Sequence, residues 1–238
     1  MSLPARIVTL LVAVLAVAGG AAFLAVYYIG GNPPTVNYVP AAHGGVVNVV
    51  LQEDPQNTVS SRPDWVSYFV QDPKTHQWVH TTLFQVPKDT RVNMTILGYD
   101  GCTPARNNYW SKVQGTVGNK ISVQQFKTVG QPLGPAKTMG QIDTWASCSV
   151  GHTFAIPGLH LFVPVASPNT ALFNSSACGT SPCTSGPHST EKFSFMTPDS
   201  TGTFRWQCFI PCGGGFVDGN GGPMQTIGYM MGNMEVSA

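Results

Sequence analysis

The first pattern along the chain is a long apolar run at its N-terminus. Residues 7–32 contain no charged side chain, and about 20 apolar residues are enough to span a bilayer. Arg6 precedes the run, and Tyr27 and Tyr28 lie near its end, where aromatic side chains are typical of a membrane interface. We therefore predict one transmembrane helix within an anchor segment, residues 1–31.

The flanking charge predicts the orientation of this anchor. The positive-inside rule puts the short basic N-terminus in the cytoplasm, so that the C-terminal domain lies outside a cell membrane that the chain crosses once. The alternative is a cleaved signal peptide, whose apolar region is usually about 7–15 residues long. The run here is longer and lacks a clear small-x-small cleavage site, so a retained anchor is favoured.

After a Gly/Pro-rich linker, residues 32–45, the pattern changes to short runs with a period of two. In residues 90–100, TRVNMTILGYD, apolar side chains occupy alternate positions, as in a half-buried strand. Similar strand-like segments lie at 46–52, 65–72, 77–86, 120–126, 151–165, 191–208 and 229–236. Many short strands separated by turns predict an all-β sandwich or barrel. The domain is expected over residues 46–238, with insertions at about 101–147 and 166–189.

Composition narrows the classes of function. Charged residues make up 10% of the chain and the formal net charge is +1, which argues against a nucleic-acid partner. Gly-x-Ser-x-Gly, His-Glu-x-x-His and P-loop motifs do not occur. The 11 acidic residues form no obvious pair in the sequence. We therefore do not expect the chain to be an enzyme by itself.

The six cysteines fall into two kinds. Four lie in polar segments and are candidates for disulfide bonds, which an oxidising exterior would allow: Cys102, Cys148, Cys178 and Cys183. The pairs Cys102–Cys148 and Cys178–Cys183 fit the spacing, although six cysteines permit 15 connectivities. The other two, Cys208 and Cys212, enclose Phe-Ile-Pro and lead into a glycine-rich loop.

Four segments, taken in order, carry a resemblance to a known family. They are FQVPKDTRVNMTILGYD (84–100), VGHTFAIPGL (150–159), TGTFRWQC (201–208) and YMMGNMEV (229–236). Together they resemble the cupredoxin superfamily, and within it the CuA-type copper domain of haem-copper oxidase subunit II, which spaces its two cysteines in this way. The resemblance implies a Greek-key β-sandwich with a copper site on loops at one end.

The resemblance also implies a set of copper ligands. His152 matches the first histidine of the family, and Cys208 and Cys212 match the two thiolates. Met230 matches the axial methionine by alignment with the last strand, and Met224 is the alternative because it lies nearer the cysteines. Soft thiolate and imidazole ligands with a weak thioether suit copper.

One ligand of that set has no counterpart. The family places a second histidine four residues after the second cysteine, where this chain has Phe216, and no histidine follows His188. His160 or His188 could supply an imidazole if its loop folds over the site. The other interpretation is that both of these histidines, with His43, His76 and His80, are surface or loop residues.

Non-metal interpretations of the same residues remain open. Cys208 and Cys212 could form a disulfide across a tight loop, and His152 could be a half-buried residue bonded to a backbone carbonyl. The methionines could simply fill the core. A sulfur–sulfur separation of about 2 Å between the two cysteines would indicate the disulfide.

Two hypotheses of function follow. The first is a membrane-anchored, extracytoplasmic cupredoxin-like protein, similar to oxidase subunit II, that transfers electrons through copper to a redox protein partner such as a terminal oxidase core. The second is a copper-free structural or accessory subunit of a membrane complex, or a surface module, that retains the fold without the metal. Both predict a membrane location, and both allow for other subunits as partners.

Overall fold

A computed structural model describes residues 3–28, 33–56, 59, 65–101, 107–143, 148–169, 178–212 and 222–238. The chain divides into two compact units, residues 1–32 and residues 33–238.

The first unit is a single apolar helix. Helix α1 spans Leu3–Tyr28, and its segment Leu3–Phe23 has a mean hydropathy of 2.1 and is long and apolar enough to cross a membrane by length and composition. Side chains in this segment are exposed on every face of the helix, a pattern that a membrane-spanning helix shares. The predicted N-terminal helix is confirmed; a retained anchor and a signal sequence both fit it.

The described residues of the second unit form 14 strands. They are β1 (Val36–Asn37), β2 (Val46–Asp54), β3 (Ser67–Gln71), β4 (Trp78–Val79), β5 (Leu83–Pro87), β6 (Arg91–Gly98), β7 (Ile121–Thr128), β8 (Gln131–Pro132), β9 (Lys137–Met139), β10 (Val150–Ile156), β11 (Leu161–Ala166), β12 (His188–Met196), β13 (Gly202–Gln207) and β14 (Met231–Ser237). Short 3-10 helices occur at Val39–Ala41, Asn108–Ser111, Val117–Asn119, Pro157–Leu159 and Gly222–Gln225.

The strands form two mixed sheets. The first has the order β1-β5-β14-β13-β10-β11, and the second has the order β4-β3-β2-β6-β12-β7-β8, with β9 also paired to β7. The pairs β2–β6 and β5–β14 are parallel, whereas β6–β12 and β13–β14 are antiparallel. The predicted all-β fold is therefore confirmed, since both sheets contribute to one core.

The core lies between the inward faces of the two sheets. Val47, Val49 and Leu51 alternate inward on β2 and are fully buried, as the period of two requires. Aromatic rings join the sheets, for instance at Tyr68 and Trp206, whose centroids are 5.1 Å apart in an edge-to-face arrangement. Burial of these apolar faces, at about 25 cal/mol per Å², is what holds the two sheets together.

The segments expected as insertions contain ordered structure. Strand β7 lies in the first expected insertion, residues 101–147. It pairs with β12 from Ser122 to Phe126 and so widens the second sheet. The strand predicted at residues 120–126 is thereby confirmed. In the second, the predicted disulfide Cys178–Cys183 is present. Cys148 is also disulfide-bonded, while its predicted partner Cys102 lies outside the described residues.

Candidate metal centre

Three of the five predicted ligands come together inside the sandwich. His152 lies on β10, Cys208 follows the last residue of β13, and Cys212 lies four residues further on. One ligand atom from each lies within 4.8 Å of the others, and all three residues are buried. The Sγ atom of Cys208 is 3.8 Å from Nδ1 of His152. The imidazole and the two thiols therefore face a common point.

Backbone contacts fix the position of Cys208. Its N–H donates to the carbonyl of Met230 at 2.9 Å, and its Sγ accepts a hydrogen bond from the N–H of Thr153 at 3.4 Å. The same Sγ lies 3.3 Å from the carbonyl oxygen of Ile210. The N–H of Phe209 donates to Oγ1 of Thr153 at 2.8 Å. The loop is thus bonded to β10 and to the residue before β14, which holds the thiol next to His152.

The two thiols are free rather than joined in a disulfide. Burial by itself raises the pKa of Cys208, but hydrogen bonds from Cys212 and His152 together lower this pKa well below its usual value. The pKa of Cys212 is raised, because it shares a hydrogen bond with Cys208 and is also buried. The contacts between the two thiols therefore favour ionisation of Cys208 over that of Cys212, and a thiolate is the form that binds metals.

The other ring nitrogen of His152 contacts two carboxylates. Nε2 lies 3.1 Å from Oε1 of Glu53 and 3.2 Å from Oδ2 of Asp100. Burial by itself lowers the pKa of His152, but the charge of Glu53 and the hydrogen bond with Asp100 raise this pKa well above its ordinary value. His152 is therefore neither half-buried nor bonded to a backbone carbonyl, and that alternative interpretation is wrong.

The sequence patterns did not reveal the carboxylates of Glu53 and Asp100 as part of the site. The expectation that the acidic residues form no obvious pair is therefore wrong. Glu53 occupies the inward position that follows Leu51 in the alternation of β2, and Asp100 lies just after β6. The parallel β2–β6 pairing sets Glu53 beside Gly98, which brings Asp100 to the same end of the sheet. A charged residue in an inward position of an apolar strand was the available signal.

Both predicted methionine ligands lie within the described residues. Met230 is fully buried, and Met224 is 7% exposed within the 3-10 helix Gly222–Gln225. The intervening glycine-rich loop, residues 213–221, lies outside the described residues. A ligand role for either sulfur stays a prediction.

The remaining histidines lie elsewhere. His188 is buried at the start of β12, where its ring stacks on Tyr99 and Phe126 at centroid distances of 4.8 and 4.9 Å, so its assignment to the surface is wrong. His160 is exposed in a left-handed turn after Pro157–Leu159. Within the described part of the chain, neither belongs to a group of ligand atoms with Cys208 and Cys212.

An aromatic stack covers the cysteine loop. The ring of Phe209 lies parallel to that of Trp110, with centroids 4.5 Å apart and planes at 11°. Trp110 belongs to the 3-10 helix Asn108–Ser111 of the first insertion and also contacts Phe162 of β11. The insertion therefore packs directly on the loop that carries the two thiols.

We expect Trp110→Ala to loosen this loop. Loss of the stack should cost at least about 0.5–1.5 kcal/mol of unfolding free energy and speed hydrogen exchange at the Phe209 amide. Chemical denaturation and amide exchange measure both effects. Trp110→Phe, which keeps a ring against Phe209, is the control and should retain most of the protection; equal exchange in the wild type and both variants would contradict the covering role.

Comparisons with known proteins give a distant likeness. No protein-family model and no curated protein matches the chain. Among solved structures, rusticyanin from Thiobacillus ferrooxidans is 16% identical, with 85% of this chain and 82% of that chain covered and a TM-score of 0.32. A structure described as the copper protein rusticyanin has 17% identity, coverage of 85% and 82%, and a TM-score of 0.31. A multicopper oxidase has 10% identity, coverage of 87% and 46%, and a TM-score of 0.27. Likenesses this distant say nothing about what this chain binds.

Proposed function

We propose that this protein binds copper at His152, Cys208 and Cys212 and transfers electrons through it. The observation that carries the proposal is the convergence of one imidazole nitrogen and two free thiols on a common buried point. Bound copper would supply one-electron chemistry by cycling between its cuprous and cupric states.

The donor set fits copper in three respects. Thiolate and imidazole are the ligand types that copper sites use. The 3.8 Å between Sγ of Cys208 and Nδ1 of His152 is close to the separation of about 3.5–3.6 Å for a sulfur and a nitrogen bound to one metal at about 2.3 and 2.0–2.1 Å with a tetrahedral angle. Contacts with Cys212 and His152 outweigh the effect of burial and lower the pKa of Cys208. The lowered pKa favours the thiolate, which is the form that binds metals.

The strand register supports Met230 as the axial ligand. Gln207 of β13 faces Met231 of β14, and the next step along the antiparallel pair sets Cys208 opposite Met230. Residues directly opposite on one face of a sheet have Cβ atoms about 4.5–5.5 Å apart. A thioether on a side chain with three rotatable bonds can reach a metal from that distance.

We expect Met230→Leu to change the copper site more than Met224→Leu does. Loss of a weak axial thioether should keep the copper but shift its reduction potential and its absorption bands. Both substitutions conserve volume and should cost less than about 1.5 kcal/mol of stability. Voltammetry of the two copper-loaded variants measures their reduction potentials. A change in potential for Met224→Leu alone would overturn the choice of Met230.

The proposed setting is the outer side of a cell membrane. Helix α1 is long and apolar enough to anchor the domain, and Arg6 at its start favours a cytoplasmic N-terminus. The disulfide Cys178–Cys183 suits an oxidising exterior. The domain would then receive electrons from one redox protein and pass them to another, in the manner of an oxidase subunit II within a membrane complex.

Copper loading tests the proposal. Protein purified without chelators, or reconstituted anaerobically with cuprous ion, should bind at least one copper per chain and show visible charge-transfer absorption after oxidation. His160→Gln, at an exposed histidine, should load like the wild type, whereas His152→Gln should not. A copper-to-protein ratio near zero before and after reconstitution would contradict copper binding.

The copper-free structural role remains the second candidate because of one observation. His152 already has two carboxylate partners on Nε2, so the interior polar groups are stabilised by one another without a metal. A protein that takes up no copper and melts at the same temperature with and without copper would favour this role.

A further inference from the structure

We propose that Glu53 is a positioning residue of the candidate copper site: it pairs with the His152 ring by charge and fixes Asp100, which hydrogen-bonds to the same ring nitrogen, so that Nδ1 faces the two thiols. This inference rests on the proposed function for its effect on copper, but its geometric part concerns the protein without metal.

Both oxygens of Glu53 are used to hold this arrangement. Oε1 lies 3.1 Å from Nε2 of His152, and Oε2 accepts the N–H of Asp100 at 3.1 Å. Asp100 in turn places Oδ2 at 3.2 Å from the same Nε2, while its Oδ1 accepts the N–H of Gly101 at 2.7 Å. The ring N–H thus hydrogen-bonds to Asp100, while Oε1 of Glu53 lies at ion-pair distance from the same nitrogen, and the ring cannot flip without leaving both contacts.

The backbone is shaped to allow this approach. The β10–β11 register shifts between Val150 and His152, which marks a bulge at Gly151. A Cβ atom at Gly151 would lie 2.6 Å from the carbonyl oxygen of Asp100 and 2.7 Å from Cα of Gly101. Because Gly151 has no side chain, the segment after β6 can lie against β10. A bulge also changes the direction of a neighbouring side chain, here that of His152.

The position of Glu53 is costly unless the residue has a role. Its side chain is 0% exposed. An isolated carboxylate in such surroundings is strongly unfavourable, whereas the inward positions before it on β2 are filled by valine and leucine. The contact with Nε2 is the interaction that offsets this burial.

The chemical consequence follows from where the proton is held. When a metal replaces the proton at Nδ1, the remaining ring proton stays on Nε2 beside the two carboxylates, and the Nδ1 lone pair is directed towards Cys208 and Cys212. Carboxylate partners of this kind fix the tautomer and increase the basicity of a ligating histidine. Negative charge beside the ring also favours the more positively charged state of a bound metal, so Glu53 lowers the reduction potential of the site.

A matched control exists on a neighbouring strand. Glu191 is also fully buried, and it lies opposite Ile96 of β6 on the second sheet. Its Oε1 accepts the N–H of Ala166, and among the described residues it forms no hydrogen bond or ion pair with His152. Glu191→Gln therefore replaces an equally buried carboxyl group on a different strand.

The first measurement uses the metal-free protein. Proton NMR of ¹⁵N-histidine-labelled protein should show the His152 Nε2–H far downfield and slow to exchange in the wild type and in Glu191→Gln. In Glu53→Gln this signal should move upfield and exchange faster. If Glu53→Gln fails to fold, Asp100→Asn, at a partly exposed position, replaces it. An unchanged signal in the folded variant, or no protected signal in the wild type, would overturn the positioning role.

The second measurement uses copper-loaded protein. Glu53→Gln should weaken copper binding about 10–100-fold and raise the reduction potential, while Glu191→Gln should change neither. Equal affinity and potential in all three proteins would overturn the influence of Glu53 on the metal. If the wild type binds no copper, the proposed function fails, and the NMR result alone then decides whether Glu53 positions His152.

Discussion

The metal-free protein should become more stable as the pH falls from about 8 to 4. Three carboxyl groups have raised pKa values, mainly because burial disfavours their charged forms: Glu53, Asp54 and Glu191. For Asp54 the pKa rises to about 8, against about 3.9 for an unfolded chain. Between those values the folded protein binds more protons than the unfolded chain, so stability is greatest below pH 4 and falls as the pH rises.

The size of this effect is large for a domain with a typical stability of about 5–15 kcal/mol. At 1.36 kcal/mol per pKa unit, Asp54 alone could account for at most about 5 kcal/mol between pH 4 and 8. The raised pKa of His152 acts in the same direction, whereas the lowered pKa of Cys208 acts in the opposite one. The lowered pKa values of Asp72, His80 and His188 also act in the opposite direction. The sum should still favour acid, because the upward pKa shifts of Asp54, Glu191 and His152 are large.

Thermal unfolding at pH 4, 6 and 8 tests the expectation. Asp54→Asn should flatten the dependence of the melting temperature on pH, because the amide has no proton to lose. Asp199→Asn, at an exposed position, should leave the dependence unchanged. A wild-type melting temperature that is highest at pH 8 would contradict the raised pKa values of these carboxyl groups.

Cys208→Ser should abolish copper binding, which is the largest functional effect we expect. The thiol at Cys208 accepts the Thr153 N–H and faces Nδ1 of His152, and its lowered pKa provides the thiolate. A serine hydroxyl fits the same space but stays protonated and is a hard ligand, so it does not replace the thiolate for copper.

Cys212→Ser separates a binuclear site from a mononuclear one. If two thiolates bridge two coppers, both cysteine variants should lose all copper. If one copper is held by Cys208, Cys212→Ser should keep it with altered absorption. Full copper retention in Cys208→Ser, measured by metal analysis on folded protein, would exclude the proposed ligand set.

Much of the fold could be predicted from local pattern. The alternation in residues 90–100 correctly predicted β6. The segment 151–165 correctly predicted β10 and β11 with the turn between them. The isolated strand expected at 120–126 became β7, but its pairing with β12 could not be read from the sequence, because non-local strand pairing is set by tertiary packing.

The candidate site was only half predictable for the same reason. His152 and Cys208 lie in motifs that are continuous along the chain, whereas Glu53 and Asp100 are 47 positions apart and meet only through the parallel β2–β6 ladder. His188 was misplaced because stacking on Tyr99 and Phe126 involves partners on other strands. Sequence patterns identify what one strand buries, and register decides which side chains meet.

X-ray absorption of the copper-loaded protein tests the central claim most directly. The account predicts a first coordination shell of sulfur and imidazole nitrogen in the wild type, with the sulfur contribution lost together with the copper in Cys208→Ser. A shell of oxygen and nitrogen alone, or copper that stays bound with the same spectrum after that substitution, would contradict a site formed by His152, Cys208 and Cys212.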